Sequence, residues 1–374
     1  MSRELTGATF ATPALSVEAL MRPPAVLTGS GKRAVDAWVD FFTGALANDN
    51  TRAAYKRALH EFFAFVELKP DATVRSVTPR MVATWRELLV KGNTLEQTRT
   101  GTTIKRQRAI ATVKLKMAAV RSFFAYLKEQ GVLDDDPAAG VKAPRLSVEV
   151  GKTLVLQGDD APKVLDTINA RIKAAVEDGE VPTLVDLRDR ALIGVMTFAV
   201  ARVSATINLK IGDLHLHTRP RKIRLFEKGS KEHVVALHHE LEAYLVEYLA
   251  ALREAGEPVA TDDWLFRAFD RASKKISSSP LDRVAAWRIV DRRAKDAGFN
   301  KFEGRRPRGA GVTSHTFRGT GITSFLNNGG HIERARKLAG HVSIRTTQLY
   351  DHTNKAVTMD DVVLIDLRRH TAKG

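Results

Sequence analysis

Cysteine is absent from this chain of 374 residues. Its absence excludes disulfide bonds, thiolate zinc sites and cysteine nucleophiles together, and it is compatible with a reducing cytoplasm. Long apolar runs are absent too, since no stretch approaches the roughly 20 residues that span a bilayer. The amino-terminal segment also lacks the continuous apolar core of a signal peptide. We therefore expect a folded cytoplasmic protein with no membrane partner.

Acidic residues are too few to balance the basic ones. The chain has 43 Asp and Glu against 59 Lys and Arg, a formal net charge of +16. Such an excess favours a polyanionic partner, because each cation placed on a phosphate releases condensed counterions. Between Glu96 and Glu129 no acidic residue occurs, which favours a phosphate-facing surface over a solvated helix face of mixed sign. We expect DNA contacts from seven basic residues there: Arg99, Lys105, Arg106, Arg108, Lys114, Lys116 and Arg121.

Apolar periodicity predicts two folded regions. Residues 1–32 show no sustained periodicity and are interpreted as a flexible arm. Residues 33–146 carry helical patterns, including one helix capped by Asn50 and Thr51 and another that starts at Thr78 and Pro79. A linker rich in Pro, Gly and acids leads to a second region over 150–355, followed by a tail over 356–374.

The second region mixes helices with short strands. Residues 186–200 have the composition of a buried helix, and the runs DLHLH, KIRLF and HVVAL alternate as strands do. The last two runs flank EKGSKE, which predicts a hairpin with a glycine in its turn. Helical patterns resume after the hairpin. The chain is therefore predicted to be mainly α with a small antiparallel β-sheet.

The C-terminal third contains three short motifs in order. They are a His-x-x-Arg pair, a Gly-His turn and a tyrosine preceded by Ser-x-x-Thr-Thr. In this sequence they stand as His315 and Arg318, Ala339-Gly340-His341, and Ser343, Thr346, Thr347 and Tyr350. With an upstream arginine and a lysine in the hairpin turn, they resemble the tyrosine recombinases, the family of phage integrases and of recombinases that resolve chromosome dimers. The resemblance covers residues 33–355 and is specific from residue 186 onward.

The resemblance implies a catalytic set and a reaction. The set is Arg202, Lys228, His315, Arg318, His341 and Tyr350. Guanidinium groups suit phosphoryl transfer, because they stay charged and donate in a planar fork to the oxygens that gather charge. Tyr350 would attack the phosphorus to give a 3′-phosphotyrosyl intermediate, with no ATP, cofactor or metal. Lys228, or Lys231 in the same turn, would protonate the departing 5′ oxygen, and we favour Lys228.

The sequence departs from the family pattern beside Arg202. Family members commonly carry Thr-Gly-Leu before this arginine and an acidic residue three positions after it. Here Ala199-Val200-Ala201 precedes the arginine, and Ala205 occupies the acidic position. We expect a different backbone path without the glycine, and the loss of a carboxylate that would orient the site.

The family also implies an architecture and a partner. A helical core-binding domain (33–146) and an α+β catalytic domain (150–355) would form a two-domain clamp around double-stranded DNA at specific recombination sites. A homotetramer on two paired sites is implied, with the tail docked on its own domain or on a neighbouring protomer. The reaction would be integration or excision of a mobile element, or resolution of DNA, by a cytoplasmic, nucleoid-associated protein. Relaxation of DNA by a type IB topoisomerase-like enzyme and DNA binding without catalysis are the alternatives.

Overall fold

The computed structural model describes residues 22–92, 95–97, 103–105, 107–145, 154–227, 231–270, 275–303 and 310–351. The chain divides into two compact units, Met1–Ser147 and Val148–Gly374. Over the described ranges it is mostly helical with small antiparallel sheets, which confirms the predicted fold class. None of the helices in these ranges has the length and apolar character needed to cross a membrane.

The first unit is built from helices around an aromatic core. Its elements are α1 (Ala25–Thr28), α2 (Lys32–Asp40), a π-helical turn (Phe41–Ala45), α3 (Asp49–Val66), a 3₁₀ turn (Val74–Ser76), α4 (Pro79–Lys91), the antiparallel strands β1 (Leu95–Gln97) and β2 (Thr103–Lys105), and α5 (Ile110–Glu129). Trp38 of α2 and Phe123 of α5 meet edge to face with their ring centroids 5.5 Å apart. Buried aromatic area of this kind supplies much of a small core's stability.

Two expectations for the first unit are corrected. The cap of α3 is Asn48, whose Oδ1 accepts hydrogen bonds from the backbone N–H groups of Asn50 at 3.1 Å and Thr51 at 3.2 Å. The predicted cap residues therefore already belong to the first turn. The predicted arm is wrong for its last part, because Val26 and Leu27 on α1 are buried in the core of this unit.

The second unit surrounds a central buried helix. Its elements are a 3₁₀ turn (Gly158–Asp160), α6 (Lys163–Glu177), α7 (Leu184–Phe198), α8 (Val203–Ile207), a 3₁₀ turn (Ile211–Asp213), β3 (Leu214–His215), β4 (Lys222–Glu227), β5 (Lys231–Ala236), α9 (His239–Glu254), β6 (Arg267–Asp270), β7 (Lys275–Pro280), α10 (Arg283–Asp296), α11 (Ser314–Asn327), α12 (Ile332–Leu338) and α13 (Ile344–Gln348). Helix α7 packs against α6, α9 and α11, as its apolar composition predicted.

The predicted hairpin is present. Strands β3, β4 and β5 form an antiparallel sheet in that order, and β4 pairs with β5 from Lys222 opposite Ala236 to Glu227 opposite Lys231. The last ladder pair places Glu227 at the end of β4, directly before the turn. Strands β6 and β7 form a second hairpin, which the sequence did not predict.

A buried carboxylate ties α7 to α10. One oxygen of Asp189 accepts from Arg188 Nη2 at 2.8 Å, and the other accepts from Arg292 Nη2 at 2.6 Å and Arg293 Nε at 2.8 Å. Asp189 is fully buried, and the side chains of Arg188 and Arg293 are nearly so. Removing the carboxylate would take the ion-pair partner from the nearly buried Arg188 and leave Arg293 paired with Asp186.

Asp189→Ala is therefore expected to lower the free energy of unfolding by about 3–5 kcal/mol. The matched control is Asp262→Ala, since Asp262 is exposed and pairs with Lys210 at 3.2 Å. An exposed pair contributes at most about 1 kcal/mol. Urea unfolding of the full chain, followed by circular dichroism, makes the comparison. Equal effects of the two substitutions would contradict the structural role of Asp189.

Candidate active site

Helix α11 places the His-x-x-Arg pair. It begins after Thr313, whose side chain forms a capping box with Thr316. Arg318, one turn after His315, is 2% exposed, and its guanidinium donates to the backbone carbonyls of Val200 and Ala339. These bonds fix the guanidinium between the loop before α8 and the end of α12. His315 lies on the solvent-accessible side of the same helix.

Two glycines of α11 allow close packing around the pair. A Cβ at Gly321 would lie 2.1 Å from the carbonyl oxygen of Thr197 on α7, so only glycine permits this helix contact. A Cβ at Gly319 would lie 3.0 Å from Cε1 of Tyr350. The ring of the tyrosine therefore rests on the backbone of α11, one residue after Arg318.

Arg202 comes from the other side of the site. It occupies the N-cap position of α8, and its side chain is 31% exposed. Its Nη1 pairs with the carboxylate of Glu227, whose other oxygen lies 3.7 Å from Nη1 of Arg318. One carboxylate thus contacts both arginines.

The backbone before Arg202 adopts an uncommon conformation. Val200 has φ +51°, in the left-handed region that costs a β-branched residue roughly 1–2 kcal/mol. Its carbonyl accepts from Arg318, so the conformation presents an oxygen to the guanidinium. At Val200, where family members commonly carry glycine, the chain therefore has a conformation that glycine would adopt without strain.

His341 and Tyr350 complete the cluster. Nδ1 of His341 lies 3.0 Å from the hydroxyl of the buried Thr347, and the two rings of His341 and Tyr350 stack at 6.2 Å. The hydroxyl of Thr323 donates to the carbonyl oxygen of Tyr350 at 2.9 Å. In the tautomer in which Nδ1 accepts from Thr347, Nε2 of His341 carries a proton that it can donate to a phosphate oxygen.

Burial and mutual repulsion shift the pKa values of the cluster. Burial, with Arg202 beside it, lowers the pKa of Arg318 to about 10, and Glu227 opposes this shift. Burial and the charge of Arg318 lower the pKa of His341 to about 4. The pKa of His315 is also lowered, by burial and then by Arg318 and Arg202. Both imidazoles are therefore neutral at pH 7, so His315 can accept a proton while Arg318, with a pKa of about 10, keeps its own.

The structure thus brings together five of the six residues that the resemblance implies. The sixth, Lys228, lies outside the described residues. Lys231 is exposed at the start of β5, across the ladder from Glu227. Glu227 itself was missed by the sequence interpretation, which assigned no role to the residue before Lys228.

The seven candidate DNA-binding residues fall into different environments. Arg99 and Arg106 lie outside the described residues, as does the side chain of Lys105. Lys116 is nearly buried on α5 and pairs with Glu61, and Arg108 Nη2 lies 3.8 Å from the same carboxylate. The expected solvent-facing position of Lys116 is therefore corrected, because its ammonium is held inside the first unit. Lys114 and Arg121 are exposed on the outer face of α5.

A second basic surface adjoins the catalytic cluster. Arg283, at the start of α10, lies close enough to His315 to contribute to its lowered pKa. Trp287, one turn later, is 45% exposed, and Arg288 beside it is exposed as well. A cation and an aromatic ring on one open helix face suit a nucleic-acid backbone.

His238, which lies outside the motifs, has structural contacts. His238 caps α9 by accepting from the backbone N–H of Glu240, and its ring stacks on Phe198 at 4.6 Å. His238, His239 and Glu240 do bring ligand atoms within 4.8 Å of one another. Because the cap already uses Nδ1 of His238, the arrangement is explained by helix capping.

Comparisons with known proteins identify the family. Residues 155–356 match the model of the phage integrase family. The tyrosine recombinase XerD of Listeria monocytogenes is 28% identical over 307 residues, which cover 82% of this chain and 89% of that protein. XerD of Xanthomonas axonopodis pv. citri is 30% identical over 237 residues, covering 63% of this chain and 69% of that one.

Solved structures share the fold. The XerH site-specific recombinase bound to a palindromic difH substrate has a TM-score of 0.59 at 21% identity, covering 86% of this chain and 80% of that one. The Tn1549 transposon integrase in complex with circular intermediate DNA has a TM-score of 0.57 at 15% identity, covering 91% and 99%. The family model spans more than half of the chain and every side chain of the cluster, and the chain therefore belongs to the phage integrase family of tyrosine recombinases.

Proposed function

We propose that this protein is a site-specific DNA recombinase that breaks and rejoins duplex DNA through a covalent bond to Tyr350. The observation that carries the proposal is the convergence of Arg202, Arg318, His315, His341 and Tyr350 within one unit. These residues come from four places in the chain: the start of α8, helix α11, the turn after α12 and the end of α13. Such a set of donors around one tyrosine fits phosphoryl transfer, in which positioning and charge stabilisation supply most of the catalysis.

The arginines bind the scissile phosphate. Arg318 is held by two backbone carbonyls, whereas Arg202 is partly open to solvent and can reach an incoming phosphate. As the attacking oxygen approaches, charge grows on the two non-bridging oxygens. Preorganised guanidinium groups stabilise that charge without reorganising during the step.

The remaining residues move protons. The Oη–P bond forms as the P–O5′ bond breaks, and the phenolic proton passes to neutral His315. His341 donates its Nε2–H to a non-bridging oxygen. Lys228 supplies the proton that the departing 5′ oxygen requires. The phosphotyrosyl ester conserves the energy of the broken bond, so the reverse attack by a 5′ hydroxyl rejoins the strand.

We propose that the DNA-binding surface includes the outer face of α5. Replacing Lys114 and Arg121 together with Gln should weaken binding of a fluorescein-labelled duplex of arbitrary sequence. A plot of log affinity against log salt concentration has a negative slope. This slope should become shallower by about 0.9 for each phosphate that the variant no longer neutralises. Lys116→Gln is the control, since Lys116 faces Glu61, and it should leave the slope unchanged. A lower slope in Lys116→Gln alone would reverse this assignment.

Assembly on DNA is proposed as a homotetramer on two paired sites. The tail over 356–374 lies outside the described residues, and we propose that it docks on a neighbouring protomer. A cavity of about 700 Å³ supports this proposal, because Phe198, Val200, Phe325 and Leu338 give it apolar walls. A short apolar segment such as 362–367 has the chemistry to fill it.

A covalent trap tests the proposed function. The substrate is a nicked duplex built from the DNA that flanks the gene. After cleavage, the short fragment between the scissile phosphate and the nick diffuses away with its 5′ hydroxyl, so rejoining is prevented and the enzyme stays attached. The expected products are a denaturation-resistant adduct with a blocked 3′ end and a released short fragment with a free 5′ hydroxyl. No adduct on any flanking junction would contradict catalysis. If supercoiled plasmids with and without these junctions were relaxed at the same rate, the protein would be identified as a topoisomerase instead.

A further inference from the structure

Glu227 occupies an unusual position for an acid beside a phosphate-binding site. Its side chain is 7% exposed, and its two oxygens face Arg202 and Arg318. Among the described residues, Glu227 provides the only carboxylate paired with either arginine. A buried acid placed between two cations that must bind an anion needs an explanation.

The surroundings hold the carboxylate in place. A Cβ at Gly340 would lie 3.6 Å from Cγ of Glu227 and 3.8 Å from the ring of His233, so the turn before His341 packs on the hairpin. Nε2 of His233 lies 2.9 Å from the carbonyl oxygen of Leu338, which ties β5 to the end of α12. The hairpin that carries Glu227 is therefore anchored to the elements that carry the arginine contacts.

The carboxylate is more buried than the side chain of Arg202 and about as buried as that of Arg318. Arg202 is the more open of the two guanidiniums, with 31% of its side chain exposed, whereas Glu227 is almost covered. An acid that competed with phosphate would have to lie on the open face. A carboxylate buried to this degree can instead neutralise the pair and leave the exposed N–H groups of Arg202 free for a phosphate.

The charge balance of the site favours such a group. Arg202 and Arg318 repel each other at short range, and burial further disfavours the charge of Arg318. Ala205, one turn after Arg202, is 3% exposed and offers no charge. The neighbouring groups on the other elements are His233, His315, His341 and Tyr350, and none of them supplies a permanent negative charge at pH 7.

We propose that Glu227 is a positioning residue that offsets the repulsion between Arg202 and Arg318 and keeps them correctly spaced, replacing from β4 the carboxylate that position 205 lacks. This inference rests on the proposed recombinase function. Glu227 touches no reacting atom. It acts through the two guanidiniums, although it is 25 residues from Arg202 along the chain.

Glu227→Gln keeps the shape of the side chain and removes its charge. We expect adduct formation on the nicked duplex to slow by roughly tenfold to a hundredfold, as is typical when a group that orients catalytic residues is lost. DNA affinity should be retained or slightly increased, because a negative charge is removed. The alkaline pH at which the rate declines should move downward, since Glu227 raises the pKa of Arg318.

Glu232→Gln is the matched control. Glu232 is an exposed acid on β5, paired across the ladder with Phe226, and its replacement makes the same change in charge within the same hairpin. It should leave the rate, the affinity and the pH profile unchanged.

The outcomes separate the alternatives. An unchanged rate in Glu227→Gln would overturn the inference, and a faster rate would mean that the acid blocks the phosphate site. A slower rate that recovers at lower temperature, together with a lower unfolding midpoint and an unmoved pH profile, would reduce Glu227 to a structural role. If the wild-type protein itself forms no adduct, the proposed function fails first, and the inference falls with it.

Discussion

Tyr350→Phe should abolish the covalent adduct. The substitution removes only the phenolic oxygen, and the ring can still rest on Gly319 and stack on His341. Without the nucleophile no phosphotyrosyl bond can form, so the rate of trapping should fall below detection while DNA retention persists. Denaturing gel analysis of the labelled nicked duplex measures both adduct and free DNA.

The control for this substitution is Tyr244→Phe on α9. Its hydroxyl bonds to Glu240 at 3.1 Å and to Asn169 at 3.3 Å, so the phenol has a structural explanation. Trapping by Tyr244→Phe should equal that of the wild type. An adduct formed at the wild-type rate by Tyr350→Phe would remove the nucleophile from the mechanism.

Arg318→Ala should reduce the rate of adduct formation by roughly a thousandfold or more. The guanidinium is the buried half of the phosphate-binding pair, and its loss also leaves the carbonyls of Val200 and Ala339 without their donor. DNA binding should fall far less, because most phosphate contacts along a duplex lie away from the scissile bond.

The destabilising part of this effect can be separated from the chemical part. Arg318→Lys keeps a positive charge, but it cannot span two carbonyls and a phosphate with a planar fork. It should fold better than Arg318→Ala and still cleave slowly. Arg334→Ala on α12 is the control, since Arg334 is exposed, and it should cleave normally. Equal losses of affinity and rate in both Arg318 variants would assign the residue to binding alone.

Much of the second unit could be predicted from local sequence. The turn EKGSKE lies between two alternating runs, and this pattern predicted the β4–β5 hairpin directly. The apolar composition of 186–200 predicted the buried helix α7. These elements depend on apolar periodicity and on turn residues. Both signals are local, because they involve residues that are close together in the sequence.

Contacts between distant segments could not be predicted in the same way. Glu227 contacts Arg202 and Arg318 only because the hairpin, α8 and α11 meet in space. The left-handed conformation of Val200 is likewise set by its surroundings, since a β-branched residue disfavours it. The absence of an acid at position 205 was the one local sign that a carboxylate would have to come from elsewhere.

The basic stretch shows the limit of charge counting. Lys114 and Lys116 are two residues apart, yet one is exposed and the other nearly buried. The helical period explains the difference. Lys116 lies in the apolar stripe between Val113 and Val120, both of which are buried. Applying the period of the helix to the charges would have separated the two lysines.

Mapping the attachment point of trapped DNA tests the central claim most directly. Trypsin should release residues 346–355 from the adduct as one peptide, and Tyr350 is its only tyrosine. After nuclease digestion, mass spectrometry should find a 3′-linked phosphonucleotide on Tyr350. A phosphonucleotide on any other residue would contradict the proposed mechanism.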